Sequence, residues 1–301
     1  MIRITRPNLK QIVEQHCNCL VIKLKRKFSQ GLGQYSLDEI LSAPPEKLDD
    51  IASLFDKNRE QNLEHFKFIR DEYERFATKK KEYDAYDLAT KLKLNVCPYC
   101  NRIYTFTLSR GAEKYVRPQF DHFYDKASYP ILALSFFNLI PSCSICNSSV
   151  KGSKQFTVKT HLHPYLDSFH EKVRFSVRFK NMNGYFDEDS FDLVLKTESP
   201  RAQKTIEDLK LELLYCQHKD IALEQIQKAY IYPETRIQEI WNEYGGLFKG
   251  KDELMSSLNW GFIDDSAIER RPLSKLMKDI SDLGRKNEVP FGIEIRKLNQ
   301  H

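Results

Sequence analysis

Cys97-Pro98-Tyr99-Cys100, Asp121-His122, Asn138 and Cys143-Ser144-Ile145-Cys146-Asn147 are the stretches on which the reading of this chain turns. Two C-x-x-C pairs separated by 42 residues suit one tetrahedral zinc site, because each pair presents two thiolates to the same ion. Where thiols stay reduced, such pairs read as metal ligands and not as disulfides. A thioredoxin-like redox site uses one pair beside a βαβ pattern, whereas here two pairs bracket polar residues. A structural zinc site has no need of the carboxylate, imidazole and amides of Asp121, His122, Asn138 and Asn147. The segment is therefore expected to carry chemistry as well as metal.

Upstream, Leu9, Ile12, Val13, Cys17, Leu20, Val21 and Leu24 follow helical spacing over 8–28. Short helices are predicted at 37–42 and 46–55, interrupted by Pro44-Pro45. A long charged helix is predicted at 57–93, burying Leu63, Phe66, Ile69, Tyr73 and Phe76. From residue 96 the texture changes. Two β-prone runs, 102–108 and 115–120, flank Ser109-Arg110-Gly111-Ala112 and read as a hairpin whose second strand leads into Asp121-His122. The apolar run 129–137 reads as a short helix or turn supporting Asn138, and 146–154 opens a helix. A second hairpin, 173–179 with 191–195, surrounds Asn181-Met182-Asn183-Gly184, and 200–244 and 252–285 return to helical periodicity. The fold class is α+β: a helical region 1–95, a zinc module 96–165, and a β-hairpin plus helical region 166–301.

The formal net charge is +5, unevenly placed. Residues 96–165 hold eight Lys/Arg against Glu113, Asp121 and Asp125, and residues 1–30 hold seven against Glu14, leaving the remainder acidic. Cations gathered around a metal site suit a phosphate backbone, with Arg102, Arg117, Lys151 and Lys154 as candidate contacts. The plainer reading is a solvated basic face. No apolar run approaches the ~18–20 residues of a membrane span, and Met1 to Pro7 lacks the apolar stretch of a signal peptide, so a cytoplasmic location is expected.

The order of Asp121-His122, Asn138 and Asn147 inside the four-cysteine frame resembles the ββα-metal fold of the HNH endonucleases over about 70 residues. The resemblance implies hydrolysis of nucleic-acid phosphodiesters. It assigns Asp121 to a catalytic Mg²⁺ or Mn²⁺ ion, His122 to general base, Asn138 to holding the His122 loop, and Asn147 to the second metal ligand. Asn147 stands where the family name places a histidine; an amide oxygen can still ligate a hard ion. His163 is a further candidate near that ion or a phosphate, although a packed histidine closing the module is the commoner outcome. Zn²⁺ in Cys97, Cys100, Cys143 and Cys146 is structural, one per chain.

Further pieces look like the PtuB-like HNH nucleases of bacterial Septu and retron anti-phage systems: Cys97-Pro98-Tyr99-Cys100-Asn101-Arg102, Phe120-Asp121-His122-Phe123-Tyr124-Asp125-Lys126 and His163-Pro164-Tyr165. That likeness implies DNA as substrate and a separate ABC-like or SMC-like ATPase partner, since no Walker A sequence occurs here. The helical flanks, including Trp260, Phe262 and the stretch 271–277, are the expected docking surface for that partner. Two alternatives remain at this level: cleavage of RNA such as tRNA, or an inactive zinc-stabilised nucleic-acid-binding subunit.

Overall fold

The computed structural model describes residues 2–28, 31–78, 83–111, 113–259 and 265–285; Trp260 and Phe262 lie outside them. Among the described residues, the elements are helices and three small two-stranded antiparallel sheets, in agreement with an α+β class. The three segments read along the sequence fall into two compact units. Residues 1–169 and 199–209 form unit 1, and residues 170–198 and 210–301 form unit 2.

Unit 1 opens with α1 (Leu9–Leu24), α2 (Leu37–Ser42), α3 (Pro45–Lys57), α4 (Arg59–His65), α5 (Lys67–Thr78) and α6 (Ala85–Leu92). Local chemistry sets several of these ends. Ser36 and Glu39 form a capping box at α2, and Pro45 occupies the first turn of α3, where a missing N–H costs nothing. The single long helix predicted over 57–93 is three helices. Phe66 leaves helical geometry between α4 and α5, and Asp84 starts α6 afresh by accepting from the Tyr86 and Asp87 amides. Asp84-x-x-Asp87 is a capping signal in the sequence, so this break was readable. Ile12, Leu20, Ile40, Leu48, Phe55, Ile69 and Leu88 are all buried, giving these helices a common apolar interior.

Next come β1 (Leu108–Arg110) and β2 (Glu113–Val116), paired antiparallel, then β3 (Gln119–His122) paired antiparallel with β4 (Leu139–Ser142). The strand bearing Asp121 and His122 thus pairs across the long connection 123–138. The adjacent hairpin predicted at 102–108 with 115–120 is reduced to β1 and β2. Two 3₁₀ turns, Pro130–Leu132 and Phe136–Asn138, fill the connection. A π-helical turn, Ile145–Lys151, follows β4, with the Gly152 amide donating to the Asn147 carbonyl at 2.9 Å. Such wide turns are rare and cluster at functional sites. Beyond the short α7 (Phe169–Lys172), α8 (Pro200–Asp208) returns to unit 1, where Thr205 Oγ1 accepts from the Leu162 amide.

In unit 2, β5 (Arg174–Phe179) and β6 (Phe191–Lys196) pair in register from Arg174↔Lys196 to Phe179↔Phe191. Alternate residues of β6, namely Phe191, Leu193 and Leu195, are buried, as expected for a sheet with one covered face. The helices α9 (Leu211–Tyr215), α10 (Lys219–Ile231), α11 (Glu234–Tyr244), α12 (Lys251–Asn259) and α13 (Ser274–Arg285) follow. α13 packs on β5 and α10, and Asp279 accepts from the Phe175 amide at 2.8 Å. No helix among the described residues is long and apolar enough to cross a membrane.

Candidate functional site

Four buried sulfurs anchor the site. The Sγ atoms of Cys97, Cys100, Cys143 and Cys146 all lie within 4.8 Å of one another, and Cys100 and Cys143 are 3.9 Å apart. A tetrahedral ion with metal–sulfur bonds of about 2.3 Å places its sulfurs roughly 3.8 Å apart, so this set can hold a metal ion such as zinc. Both knuckles are closed by the same backbone hydrogen bond. The Asn101 amide donates to the Cys97 carbonyl at 2.8 Å and the Asn147 amide to the Cys143 carbonyl at 3.0 Å. Asn101 adopts the left-handed conformation, φ 51°, which asparagine tolerates better than most residues. Backbone amides of Arg102, Cys143 and Cys146 point at the sulfurs of Cys100, Cys97 and Cys143, each at 3.4 Å. Burial, reinforced by hydrogen bonds from the neighbouring cysteines, holds the Cys97 thiol well above its ordinary range. A divalent ion bound among the four sulfurs would favour their thiolate forms.

Asp121 and His122 end β3 and point to opposite sides, as adjacent strand residues must. Asp121, 2% exposed, accepts from the Tyr99 hydroxyl at 2.6 Å and pairs with the Lys151 ammonium at 3.1 Å. Burial raises its pKa, while Lys151 pulls it down. Lys151 also donates to the His122 carbonyl at 2.7 Å and lies over the Phe156 ring at 5.1 Å, so one buried cation ties the strand end to the π-helical turn.

On the other side, His122 stands edge-on to Tyr73 of α5, ring centroids 4.3 Å apart, and its Nε2 is 3.0 Å from the Ala133 carbonyl. A carbonyl can only accept, so Nε2 carries the proton and Nδ1 keeps the lone pair. Burial lowers the His122 pKa to about 3, so the ring is neutral at physiological pH.

The loop that presents Ala133 is pinned at four consecutive residues. Asn138 Nδ2 donates to Leu132 O at 2.9 Å, His122 takes Ala133 O, His16 of α1 takes Leu134 O at 2.8 Å, and Ser135 Oγ donates to Ile40 O of α2 at 2.7 Å. Asn138 further binds both the amide and the carbonyl of Tyr124, at 2.7 and 3.0 Å. The fully buried Asn138 therefore clasps both ends of the loop that follows His122. The N-terminal helices complete the clasp.

The remaining candidates fall elsewhere. Asn147 is half-buried, with Nδ2 donating to Gln119 Oε1 at 2.8 Å. Among the described residues, the four cysteines are the group of His, Cys, Asp or Glu side chains close enough to share an ion. His163 is a core histidine: its ring lies 4.3 Å from Phe123, Nδ1 accepts from the Tyr165 amide, Nε2 makes no hydrogen bond among the described residues, and burial lowers its pKa to about 3. Of the expected phosphate contacts, Lys151 is buried in its ion pair and Lys154 donates to Val150 O and Asp208 O. Arg117 donates to Ala77 O and Pro118 O, and Arg102 is half-buried. Internal acceptors engage three of these cations.

Sequence reasoning missed Tyr99, His16 and the internal role of Lys151. Tyr99, between the first two cysteines, was visible only as a position.

Known proteins add little to this geometry. A curated relative, protein Ea31 of Escherichia phage lambda, is 36% identical over 73 residues, 24% of this chain. The match spans 21% of that protein's length. No family model matches the chain, and no solved structure does.

Proposed function

We propose that this chain is an HNH-type endonuclease that hydrolyses nucleic-acid phosphodiesters, most readily DNA, around a structural Zn²⁺ held by Cys97, Cys100, Cys143 and Cys146. The observation that carries the reading is the clasp on His122. Its Nε2–H is held by Ala133 O, the loop bearing that carbonyl is held by Asn138, and the strand pair β3–β4 runs into the helical turn behind it. A neutral imidazole with a fixed tautomer offers Nδ1 to a water molecule as general base. The low pKa of the buried ring limits its basicity in the free protein. An anionic phosphodiester beside it favours the imidazolium and raises that pKa, so basicity develops when substrate binds.

The expected Mg²⁺ or Mn²⁺ ligands do not form a ready set. Both Asp121 oxygens are engaged, by Tyr99 and Lys151, and Asn147 is bonded to Gln119. A hard ion at Asp121 has to displace the Lys151 ammonium, so proton transfer is assigned to the chain's own groups. The anti-phage role and the separate ATPase subunit are supported by the sequence resemblance alone.

A zinc-stabilised binding subunit without turnover is the second reading, favoured by the same engagement of Asp121. Incubating the zinc-loaded full chain with single-stranded DNA, duplex DNA and total RNA, each with Mg²⁺, Mn²⁺ or chelator, separates the two. Cleavage of any substrate supports the nuclease; intact substrates in every arm support the binding subunit. Cleavage of RNA with DNA spared moves the substrate from DNA to RNA.

A further inference from the structure

The segment between the first knuckle and β3 has an inverted pattern. Tyr104, Phe106 and Leu108 are 52%, 50% and 52% exposed, while Thr105 between them is 5% exposed. A half-covered strand ordinarily turns its apolar side chains inward and its polar ones outward. Here the register does the opposite, and the Thr105 hydroxyl makes no hydrogen bond among the described residues. That register is not slack. The Cys97 amide donates to Ile103 O at 3.0 Å, the Thr105 amide to Asn95 O at 2.8 Å, and Val96 bridges Tyr104. The zinc knuckle therefore locks two aromatic rings to the outside, with centroids 5.7 Å apart. Val116, paired with Leu108 across the hairpin, and Tyr115 extend the exposed apolar area, being 51% and 55% exposed.

We infer that this strip is a stacking platform for the bases of single-stranded nucleic acid. The occupant follows from charge and position. Around the hairpin, Arg102, Arg110, Lys114 and Arg117 stand against Glu113; Lys114 is paired with Asp84 and Asp87 and Arg117 with backbone carbonyls, while Arg110 stands exposed at the β1 end. Two residues, Arg117 and Pro118, separate β2 from β3, which bears Asp121 and His122. Rings on alternate strand residues rise about 6.6 Å apart along one face, and sequence-tolerant binding of single strands uses such exposed rings beside basic groups. Bases inside a duplex are stacked on one another and cannot use the rings, so the platform selects unpaired strands. This names a substrate class for the proposed nuclease and rests on that reading for its consequence in cleavage, but not for binding itself.

The test is fluorescence-anisotropy binding of the zinc-loaded full chain to labelled oligothymidylate, oligouridylate and a DNA duplex, using His122→Ala as background to prevent cleavage. Tyr104→Ala and Phe106→Ala should each weaken single-strand binding about tenfold, with duplex binding changed less than twofold. Tyr104→Phe should restore it, since the ring and not the hydroxyl stacks. The thymidylate and uridylate arms tell whether the platform discriminates DNA from RNA. Zinc content equal to the parent's confirms that these exposed substitutions leave the fold intact. Equal loss on duplex and single strand, no loss in either alanine variant, or no single-strand binding by the parent would each overturn the platform. Unchanged nucleic-acid affinity with a lost protein interaction would make the strip a protein-docking surface instead. Ring-dependent binding by a chain that cuts nothing would retain the platform and remove the nuclease. Cleavage with ring-independent binding would do the reverse.

Discussion

Replacing Lys151 with methionine removes a cation whose side chain is 1% exposed and lies 3.1 Å from an Asp121 carboxylate that is 3% exposed. Removing one partner of a buried pair strands the other charge, which costs about 3–5 kcal/mol. Methionine nearly matches the stem, so packing against Phe156 changes little and the loss is electrostatic. The His122 carbonyl also loses its 2.7 Å donor. A loss of about 4 kcal/mol is a large share of the roughly 5–15 kcal/mol that stabilises a domain. Burial already raises the Asp121 pKa and only Lys151 and Tyr99 oppose it, so the variant's folded-state value rises further. A carboxyl with a folded value above its unfolded value of about 3.9 destabilises the fold while ionised, and that penalty fades as pH falls through the folded value. The deficit of Lys151→Met against the parent should therefore be greatest near neutrality and shrink on acidification. Adding Asp121→Asn should restore most of it. Unit 1 contains no tryptophan, so urea unfolding is read by far-ultraviolet circular dichroism and release of zinc to a chromophoric chelator. A loss under about 1 kcal/mol at neutral pH, or a deficit that grows with acid, would refute the claim that the pair is buried and ionic.

Cys146→Ser should abolish stoichiometric zinc and leave unit 1 unfolded, since binding energy on the order of 10 kcal/mol at such a site is folding energy; metal analysis and circular dichroism check it. Asn138→Ala removes three hydrogen bonds and takes the partner from both the amide and the carbonyl of buried Tyr124, which should lower stability by about 3 kcal/mol. In that variant single-turnover cleavage should fall while nucleic-acid affinity holds, as measured by anisotropy. His16, His122 and His163 have folded pKa values lowered to about 4, 3 and 3 by burial. A lowered histidine is stabilising only while neutral, so stability should be full above about pH 6.5. Below that it should fall, on the order of 1.4 kcal/mol per pH unit for each histidine; His163→Gln should flatten the slope in acid titrations.

The four cysteines were legible because metal spacing is a local signal with a fixed geometry, and they meet in space. Capping boxes at Ser36 and Asp84 are equally local signals, and the second breaks the single long helix expected over 57–93. The strand pairing at the site was not legible. β3 finds β4 across 16 intervening residues, with no turn signal joining them, while the nearby Ser109-Arg110-Gly111-Ala112 offered an obvious but lesser hairpin. Charge was visible and its partner was not: nothing about Lys151 or Lys154 in the sequence says that carbonyls and a carboxylate of the same chain engage them. The fastening of the His122 loop by His16 depends on residues 118 apart in sequence, beyond any periodicity argument.

The central claim is that His122 acts as general base in phosphodiester hydrolysis, and single-turnover cleavage by the zinc-loaded chain against His122→Ala tests it most directly. Loss of the base should slow cleavage by about 10²–10⁴-fold with zinc content, circular dichroism and oligonucleotide affinity unchanged. Cleavage by His122→Ala at the parent's rate would contradict the account.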